Sequence, residues 1–239
     1  MKTLAIIPAR SGSKGIPGKN LIDLCGHPLI DYTISAAQSC NRINQIFISS
    51  DDDNILGYCA DKGVDTDYKR PKHLATDATG MVEVVMDALD WLSDNKKIEP
   101  EMVLLLQPTS PLRTSDDINQ ILSLLDTTKL QSAISVHKMT EHPLECIKTQ
   151  NNYWNNLLKQ PKIPVQRQEY NNNYYFINGA IYAFTPSFLK KEGRFAKPGT
   201  QTALYVMPAL RGVDIDTFDD LYQAEAYLAH PKHTITFEN

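Results

Sequence analysis

A glycine-rich stretch near the N-terminus, IPARSGSKGIPGKN at residues 7–20, has the composition of a phosphate-binding loop. It interleaves three glycines with three cations, namely Gly12, Gly15 and Gly18 with Arg10, Lys14 and Lys19. Glycine lets the backbone approach a ligand closely, and cations among glycines favour a phosphate as that ligand. The alternative is a strand-to-helix connection rich in Gly and Pro, whose lysines are simply solvated.

The spacing in this stretch, whose residues 9–20 we call the opening loop, matches neither of two common nucleotide motifs. A P-loop has four residues between its first glycine and Gly-Lys, and then Ser or Thr. Here five residues separate Gly12 from Gly18, and Asn20 follows Lys19. The dinucleotide fingerprint fails because Lys14 occupies its second glycine position. P-loop kinases, ATPases and dehydrogenases are therefore disfavoured.

Two carboxylates near the C-terminus could hold a metal ion. They are Asp214 and Asp216 of VDID, residues 213–216, which we call the aspartate segment. On an extended backbone, residues i and i+2 face the same side, and paired carboxylates suit a hard cation such as Mg²⁺. The alternative is a strand end at which Asp216 caps the following helix. The carboxylates at 51–53 are instead predicted to begin a helix.

A third polar feature is LLLQPTSPLRT, residues 104–114. Gln107 ends an apolar run, and two prolines then fix the backbone and hold Thr109, Ser110 and Arg113 in a rigid polar turn. We call residues 107–113 the proline turn. A purely structural turn would explain the prolines, whereas a neutral amide at a strand tip suits recognition of a hydroxyl or an amide.

The elements that position these residues alternate along the chain. Four apolar runs have strand length: LAIIP (4–8), QIFIS (45–49), MVLLLQ (102–107) and SAISV (132–136). Helical spacing follows a predicted cap at Thr79 and again behind Ser115, and Thr217 with Asp220 resembles a capping box. Strands alternating with helices predict an α/β fold with a mostly parallel sheet, whose ligands bind at the carboxyl ends of the strands.

This alternation stops after His137. Residues 138–178 are rich in Asn, Gln, Pro and Tyr and lack a helical period. Because so long a structureless loop is unusual in a compact domain, we expect an insertion with its own strands that packs on a second subunit. The predicted division is an α/β domain at 1–137 and 179–239, and this insertion at 138–178.

Composition limits the possible partners. The chain has 239 residues, 42% apolar content and a formal net charge of −4, which argues against non-specific binding to nucleic acid or to an anionic membrane. The four cysteines form no C-x-x-C pair. No apolar run approaches the ~20 residues that a membrane span needs. We therefore expect a cytoplasmic protein.

Five motifs, in this order along residues 4–228, resemble the acylneuraminate cytidylyltransferases, also called CMP-sialic acid synthetases. They are IPARSGSKGIPGKN, then RP (70–71) with LATD (74–77), QPTSPLR (107–113), NGAIY (178–182) and DID (214–216). The resemblance implies that residues 1–137 and 179–239 form a nucleotide-binding catalytic domain, a Rossmann-like three-layer sandwich of the nucleotide-diphospho-sugar transferase type. It implies a homodimer in which residues 138–178 are the dimerisation insertion. It also implies a reaction in which CTP and a nine-carbon 2-keto sugar acid give a CMP-sugar and pyrophosphate with Mg²⁺.

The resemblance assigns roles to residues. The implied CTP contacts are Arg10, Ser13, Lys14, Lys19, Asn20 and Arg70, with the segment 78–81 on the cytosine side. The implied sugar contacts are Gln107, Arg167 and Tyr182. Asp214 and Asp216 match the Mg²⁺ carboxylates, and one of them is expected to help deprotonate the attacking hydroxyl. The implied catalytic set is Arg10, Lys19, Asp214 and Asp216.

Two departures from the family pattern leave the acceptor open. One more residue than the family spacing separates Arg167 from Asn178, and Glu145 stands where sialate-using relatives often carry lysine. The acceptor is N-acetylneuraminate or a bacterial relative such as a legionaminic acid, and deoxy-octulosonate enzymes share the fold. A non-catalytic nucleotide-sensing module would predict loss of the aspartates or of the loop cations, and the chain has both.

Overall fold

The computed structural model describes residues 2–151, 153–158 and 174–230. The strands in this part of the chain are β1 (Thr3–Pro8), β2 (Asp23–Leu24), β3 (His27–Pro28), β4 (Gln45–Ser49), β5 (Met102–Leu105), β6 (Ser132–Lys138), β7 (Ile147–Gln150), β8 (Tyr153–Asn156), β9 (Tyr175–Phe184) and β10 (Ala203–Val206). Its α-helices are α1 (Leu29–Gln38), α2 (Asp53–Asp61), α3 (Met81–Trp91), α4 (Ser115–Thr128), α5 (Pro186–Glu192) and α6 (Phe218–Leu228). Short 3₁₀ turns lie at Lys19–Leu21, Lys72–Leu74 and Ala209–Gly212, and a π turn continues α3 at Leu92–Lys96.

The central sheet has six strands in the order β10-β6-β9-β5-β1-β4. β1 pairs in parallel with β4 and β5, and β10 pairs in parallel with β6. β9 lies antiparallel between β5 and β6. The predicted mostly parallel α/β sheet is thus confirmed, with one strand reversed.

Helices cover both faces of this sheet. Side chains alternate between faces along β1, so Ala5 and Ile7 pack with α1, α2 and α4. Leu4 and Ile6 pack with α3 and α5 on the opposite face. Strands buried on both sides must be apolar throughout, which explains the continuous run that begins the chain. A third apolar cluster joins α6 to α1 through Ile16 of the opening loop.

Helix starts partly match the sequence pattern. The capping box of Thr217 and Asp220 at α6 is confirmed. At α4 the cap is Thr114, in a capping box with Asp117, rather than Ser115. The predicted cap at Thr79 is wrong, because α3 starts after Gly80. The Thr79 hydroxyl is used elsewhere: it donates to the carbonyl oxygen of His73 at 3.1 Å.

Within the predicted insertion, β6 and β9 continue the sheet as far as the pair Lys138 and Tyr175. β7 and β8 form an antiparallel hairpin beside it. The hairpin exposes Tyr153 and Trp154, and Phe176 of β9 is exposed as well. The division into domains stays a prediction. No helix of the described ranges is long and apolar enough to cross a membrane.

Candidate active site

A cleft of about 270 Å³ opens at the carboxyl ends of β1, β4 and β5. Its lining consists of Pro8, Arg10, Gly12, Ser13, Lys19, Asn20, Arg70, Met81, Gln107, Pro108, Thr109, Asp214 and Asp216. Most residues predicted to act on a ligand therefore meet in one place. Lys14 and Tyr182 lie outside this lining, and Arg167 lies outside the described residues.

The opening loop contacts the aspartate segment across the cleft. Lys19 Nζ donates to the carbonyl oxygen of Ile215 and to Asp216 Oδ1, both at 2.8 Å. A Cβ placed on Gly15 would lie 2.0 Å from the Asp216 carbonyl oxygen, so only glycine allows this approach. Ile16 and Ile215 pack in one buried apolar cluster behind the contact. The opening loop and the aspartate segment, 196 residues apart at this contact, thus lie together at one cleft.

The aspartate segment is fixed by its central residue. The Ile215 backbone N–H donates to the Thr109 carbonyl oxygen at 2.7 Å, and its side chain is buried. Asp214 and Asp216, on either side of Ile215, both line the cleft. Thr217 caps α6, which excludes the alternative in which Asp216 is the cap.

The two carboxylates differ in electrostatic environment. Asp214 is open to the cleft, yet desolvation by the surrounding protein raises the pKa of its carboxyl. A hydrogen bond from Thr109 lowers this pKa, and the negative charge of Asp216 raises it further. A magnesium ion would offset both the desolvation and the repulsion, so this all-oxygen pair fits Mg²⁺. In the described ranges no group of three or more His, Cys, Asp or Glu side chains could hold a metal ion. The remaining ligands would therefore be substrate phosphate and water.

Arg10 and Lys14 of the opening loop both pair with Asp77, a carboxylate for which the sequence predicted no role. Arg10 Nη2 lies 2.6 Å from Asp77 Oδ1, and Lys14 Nζ lies 3.1 Å from Asp77 Oδ2. Hydrogen bonds from Arg10 and Lys14 lower the pKa of the Asp77 carboxyl. Asp77 belongs to the LATD motif, whose pattern gives no hint of a partner 67 residues away.

Three further hydrogen bonds brace the opening loop, one within the loop and two to Asp51. Asn20 is buried, and its Nδ2 donates to the Arg10 carbonyl oxygen at 2.9 Å. Ser11 donates to Asp51 through its backbone N–H at 2.9 Å and its hydroxyl at 2.7 Å. Asp51 therefore does not begin α2; Asp52 caps that helix, because its side chain accepts from the Asn54 N–H.

Arg70, just before the 3₁₀ turn at Lys72–Leu74, forms part of the cleft wall and is anchored to the end of β4. It is buried, and it donates from Nε to the Ser49 hydroxyl at 3.0 Å and from Nη2 to the Ser49 carbonyl oxygen. Burial lowers the pKa of its guanidinium, while the charges of Tyr68 and Asp51 raise it. Of the predicted cytosine segment 78–81, Met81 lines the cleft beside it.

The other end of the cleft lies at the end of β5, which pairs with β9. Gln107 lines it, and a Cβ on Gly179, whose φ is +73°, would lie 3.3 Å from Gln107 Nε2. Tyr182 is on β9, where burial and the charge of Asp214 raise the pKa of its hydroxyl. Arg113 does not face the cleft, since it is 1% exposed.

Solved structures with the same architecture are nucleotidyltransferases. A CMP-2-keto-3-deoxy-manno-octonic acid synthetase complexed with CTP superposes with a TM-score of 0.66 at 19% identity, covering 96% of this chain and 99% of that one. The 4-diphosphocytidyl-2C-methyl-D-erythritol synthase of Anaerococcus prevotii gives 0.65 at 17% identity, covering 96% and 99%. These likenesses establish the Rossmann-like fold.

Sequence comparison then gives the family. The model described as Cytidylyltransferase matches residues 4–229, and the chain belongs to that family. It is 31% identical to the N-acylneuraminate cytidylyltransferase of Streptococcus agalactiae serotype III, over 95% of this chain and 54% of that one. It is 33% identical to the CMP-N,N'-diacetyllegionaminic acid synthase of Legionella pneumophila, over 91% and 92%. It is 30% identical to the pseudaminic acid cytidylyltransferase of Campylobacter jejuni, over 92% and 94%. The chain spans about half the length of the streptococcal relative.

Proposed function

We propose that this chain transfers the cytidylyl group of CTP to a nonulosonic acid, a nine-carbon 2-keto sugar acid of the sialic type, with release of pyrophosphate. The observation that carries the proposal is the bridge from Lys19 to Ile215 and Asp216, with both contacts at 2.8 Å. The bridge joins a loop whose composition favours phosphate binding to a pair of carboxylates that fits Mg²⁺. Membership of the cytidylyltransferase family supports the same activity.

In the proposed reaction the anomeric hydroxyl of the sugar acid attacks the α-phosphorus of CTP. A new O–P bond forms, the bond from the α-phosphorus to the bridging oxygen breaks, and pyrophosphate leaves with that electron pair. We assign Asp214 as the acceptor of the hydroxyl proton, because it lines the cleft and desolvation raises its pKa. The protein otherwise contributes positioning and electrostatic stabilisation of the phosphates.

We assign the CTP contacts to the loop side of the cleft. The proposed set is Arg10, Ser13, Lys14, Lys19, Asn20 and Arg70. Lys14 lies outside the cleft lining, and its pairing with Asp77 directs it toward Arg10. Asp214 and Asp216 would hold Mg²⁺, which when bound would neutralise charge on the transferring and leaving phosphates. Arg10 and Lys19 would stabilise the same charge from the protein side.

We assign the acceptor to the end of the cleft at Gln107, next to β9, with Gln107 and Tyr182 as contacts and Arg167 as a third. Relatives named for N-acylneuraminate, diacetyllegionaminic and pseudaminic acids are 30 to 33% identical to the chain. The latter two match over 92% and 94% of their own length, which favours legionaminic or pseudaminic acid as the second candidate. Glu145 is not in the cleft lining.

We further propose that the chain acts as a cytoplasmic homodimer through residues 138–178. The exposed Tyr153, Trp154 and Phe176 support an interface there, since large exposed apolar side chains are typical of contact sites. Sedimentation equilibrium should give a dimer mass, and Trp154→Glu should give a monomer. A wild-type monomer at micromolar concentration would contradict the dimer.

The activity is tested by measuring pyrophosphate release with CTP, Mg²⁺ and N-acetylneuraminic, legionaminic, pseudaminic or deoxy-octulosonic acid. We expect release to require CTP, Mg²⁺ and one of the nine-carbon acids together. Release with ATP but not CTP, or only with the eight-carbon acid, would overturn the proposal. Asp216→Ala should abolish release without unfolding the protein, and wild-type rates in that variant would remove Asp216 from the mechanism.

A further inference from the structure

Asp77 lies at the tip of a turn that holds it at the opening loop. The Thr79 hydroxyl donates to the His73 carbonyl oxygen at 3.1 Å and lies 2.8 Å from the Thr76 hydroxyl. The Thr79 backbone N–H also donates to the Thr76 carbonyl oxygen at 3.3 Å. The turn connects the 3₁₀ turn at Lys72–Leu74 with α3, so Asp77 is presented from a braced backbone.

The carboxylate of Asp77 contacts the opening loop as a phosphate group would. One oxygen lies 2.6 Å from Arg10 Nη2, and the other lies 3.1 Å from Lys14 Nζ. Two cations on one anionic group, each at a different oxygen, is the arrangement by which such side chains bind phosphate. Asp77 therefore occupies cations that a polyphosphate would use.

The cations around the cleft fall into two groups. Lys19 and Arg70 each donate to a main-chain oxygen, of Ile215 and Ser49, which stays in place when a ligand enters. Lys19 also pairs with the Asp216 carboxylate, but its main-chain contact does not depend on that pair. Arg10 and Lys14 contact the side chain of Asp77, which is 46% exposed. An exposed carboxylate is held weakly, so a more highly charged anion can replace it.

We propose that Asp77 is an affinity-limiting residue that exchanges with phosphate on Arg10 and Lys14. It holds these cations in the free protein, gives way to the β- and γ-phosphates of CTP, and returns to the cations as pyrophosphate leaves. Asp77 thus weakens binding of both nucleotide and product, and it shortens the lifetime of the pyrophosphate complex. The inference rests on the proposed function, because it requires the opening loop to bind polyphosphate.

The expected size of the effect follows from the exposure of the pairs. Exposed ion pairs are individually weak, so losing two of them should change a dissociation constant by about 3- to 10-fold. Asp77→Asn keeps the side-chain shape and removes the charge. Asp53→Asn is the matched control: the Asp53 carboxylate is exposed, pairs with Lys69 at 2.6 Å, and is not in the cleft lining.

The test is calorimetric titration of the full chain with inorganic pyrophosphate and, separately, with CTP, in the presence of Mg²⁺. We expect Asp77→Asn to bind pyrophosphate about 3- to 10-fold more tightly than wild type, and Asp53→Asn to stay within about twofold. Product inhibition by pyrophosphate should strengthen by the same factor in Asp77→Asn. Thermal unfolding of each variant shows that the comparison is between folded proteins.

Equal or weaker pyrophosphate binding in Asp77→Asn would overturn the inference, since Asp77 would then orient Arg10 for the ligand rather than compete with the ligand. An equal gain in Asp53→Asn would also overturn it, because net charge alone would explain the change. If neither wild type nor Asp77→Asn binds CTP or pyrophosphate, that result would contradict the proposed function as well. Wild type that binds with no change on substitution contradicts this inference alone.

Discussion

The opening loop and the proline turn follow adjacent strands, β1 and β5, at the same edge of the sheet, yet they use their arginines in opposite ways. Arg10 of the opening loop is 32% exposed and pairs with the exposed carboxylate of Asp77. Arg113 of the proline turn is fully enclosed and donates to the carbonyl oxygens of Gln107 and Ala180 and to the Thr33 hydroxyl. A cation held by side chains at the surface is available to a ligand, whereas one held by buried acceptors stabilises the fold.

The largest effect should come from the loop cation that reaches the aspartate segment. Lys19→Ala removes the bridge to Ile215 and Asp216, together with the charge that we propose stabilises the phosphates of CTP. We expect turnover in the pyrophosphate-release assay to fall by about 10³-fold, at the upper end of what one such electrostatic contact contributes. Lys69→Ala, at a lysine that is not in the cleft lining, should stay within about twofold. A loss of less than tenfold in Lys19→Ala would place this lysine with the structural cations.

Arg113→Met tests the structural side of the comparison. The Gln107 carbonyl oxygen would keep the Ser110 N–H as a donor, but the Ala180 carbonyl oxygen and the Thr33 hydroxyl would lose the guanidinium. A buried group left without its partner costs about 1–3 kcal/mol. We expect the free energy of unfolding in urea to fall by about 3 kcal/mol or more. Burial lowers the pKa of the Arg113 guanidinium to about 9, so the wild-type group is still charged at neutral pH. A loss below about 1 kcal/mol would show that these hydrogen bonds do not hold the turn.

Two glycines of the opening loop offer a matched pair. Gly15→Ala would put Cβ 2.0 Å from the Asp216 carbonyl oxygen, whereas a Cβ on Gly12 has nothing within 4 Å. We expect Gly15→Ala to lower the free energy of unfolding by roughly 2 kcal/mol. In a chain of this size that loss lowers the melting temperature by about 4–8 °C. Gly12→Ala should be as stable as wild type or slightly more stable, because alanine restricts the unfolded chain. Equal melting temperatures would mean that the loop does not depend on the close approach.

Arg10→Met should have the smallest effect of the four. We expect CTP binding to weaken about tenfold in calorimetry while the free energy of unfolding changes by less than about 0.5 kcal/mol, since exposed ion pairs add little stability. Arg113→Met should show the reverse balance, with the larger effect on stability. If Arg10→Met lost as much stability as Arg113→Met, the distinction between the two loops would not hold.

Much of the fold could be predicted because its strands are buried on both faces. The run QIFIS coincides with β4, Gln45–Ser49. The reversed direction of β9 was beyond reach, because an apolar period carries no information on strand polarity. The first residues of β9, Tyr175 to Ile177, were not predicted as strand, because they end a stretch rich in Asn, Gln, Pro and Tyr that has no regular period.

The candidate site was predictable where residue types indicate chemistry, as for Lys19, Asp214 and Asp216. Its supporting contacts were not, because they join residues far apart with no local pattern. Asp77 pairs with Arg10 across 67 residues, and Asp51 with Ser11 across 40. In both cases the sequence shows the carboxylate but not its partner. Only the packing of β1, β4 and α3 determines which cation or hydroxyl the carboxylate contacts.

The most direct test of the central claim, that the opening loop and the aspartate segment form one site for CTP with magnesium, is calorimetric titration of CTP with Mg²⁺ and again with EDTA. For wild type we predict that Mg²⁺ tightens binding at least tenfold and that ATP binds at least tenfold more weakly than CTP, each about 1.4 kcal/mol. In Asp216→Ala the effect of Mg²⁺ should disappear. Wild-type affinity for CTP that is the same with and without Mg²⁺, or the same for ATP, would contradict a single shared site.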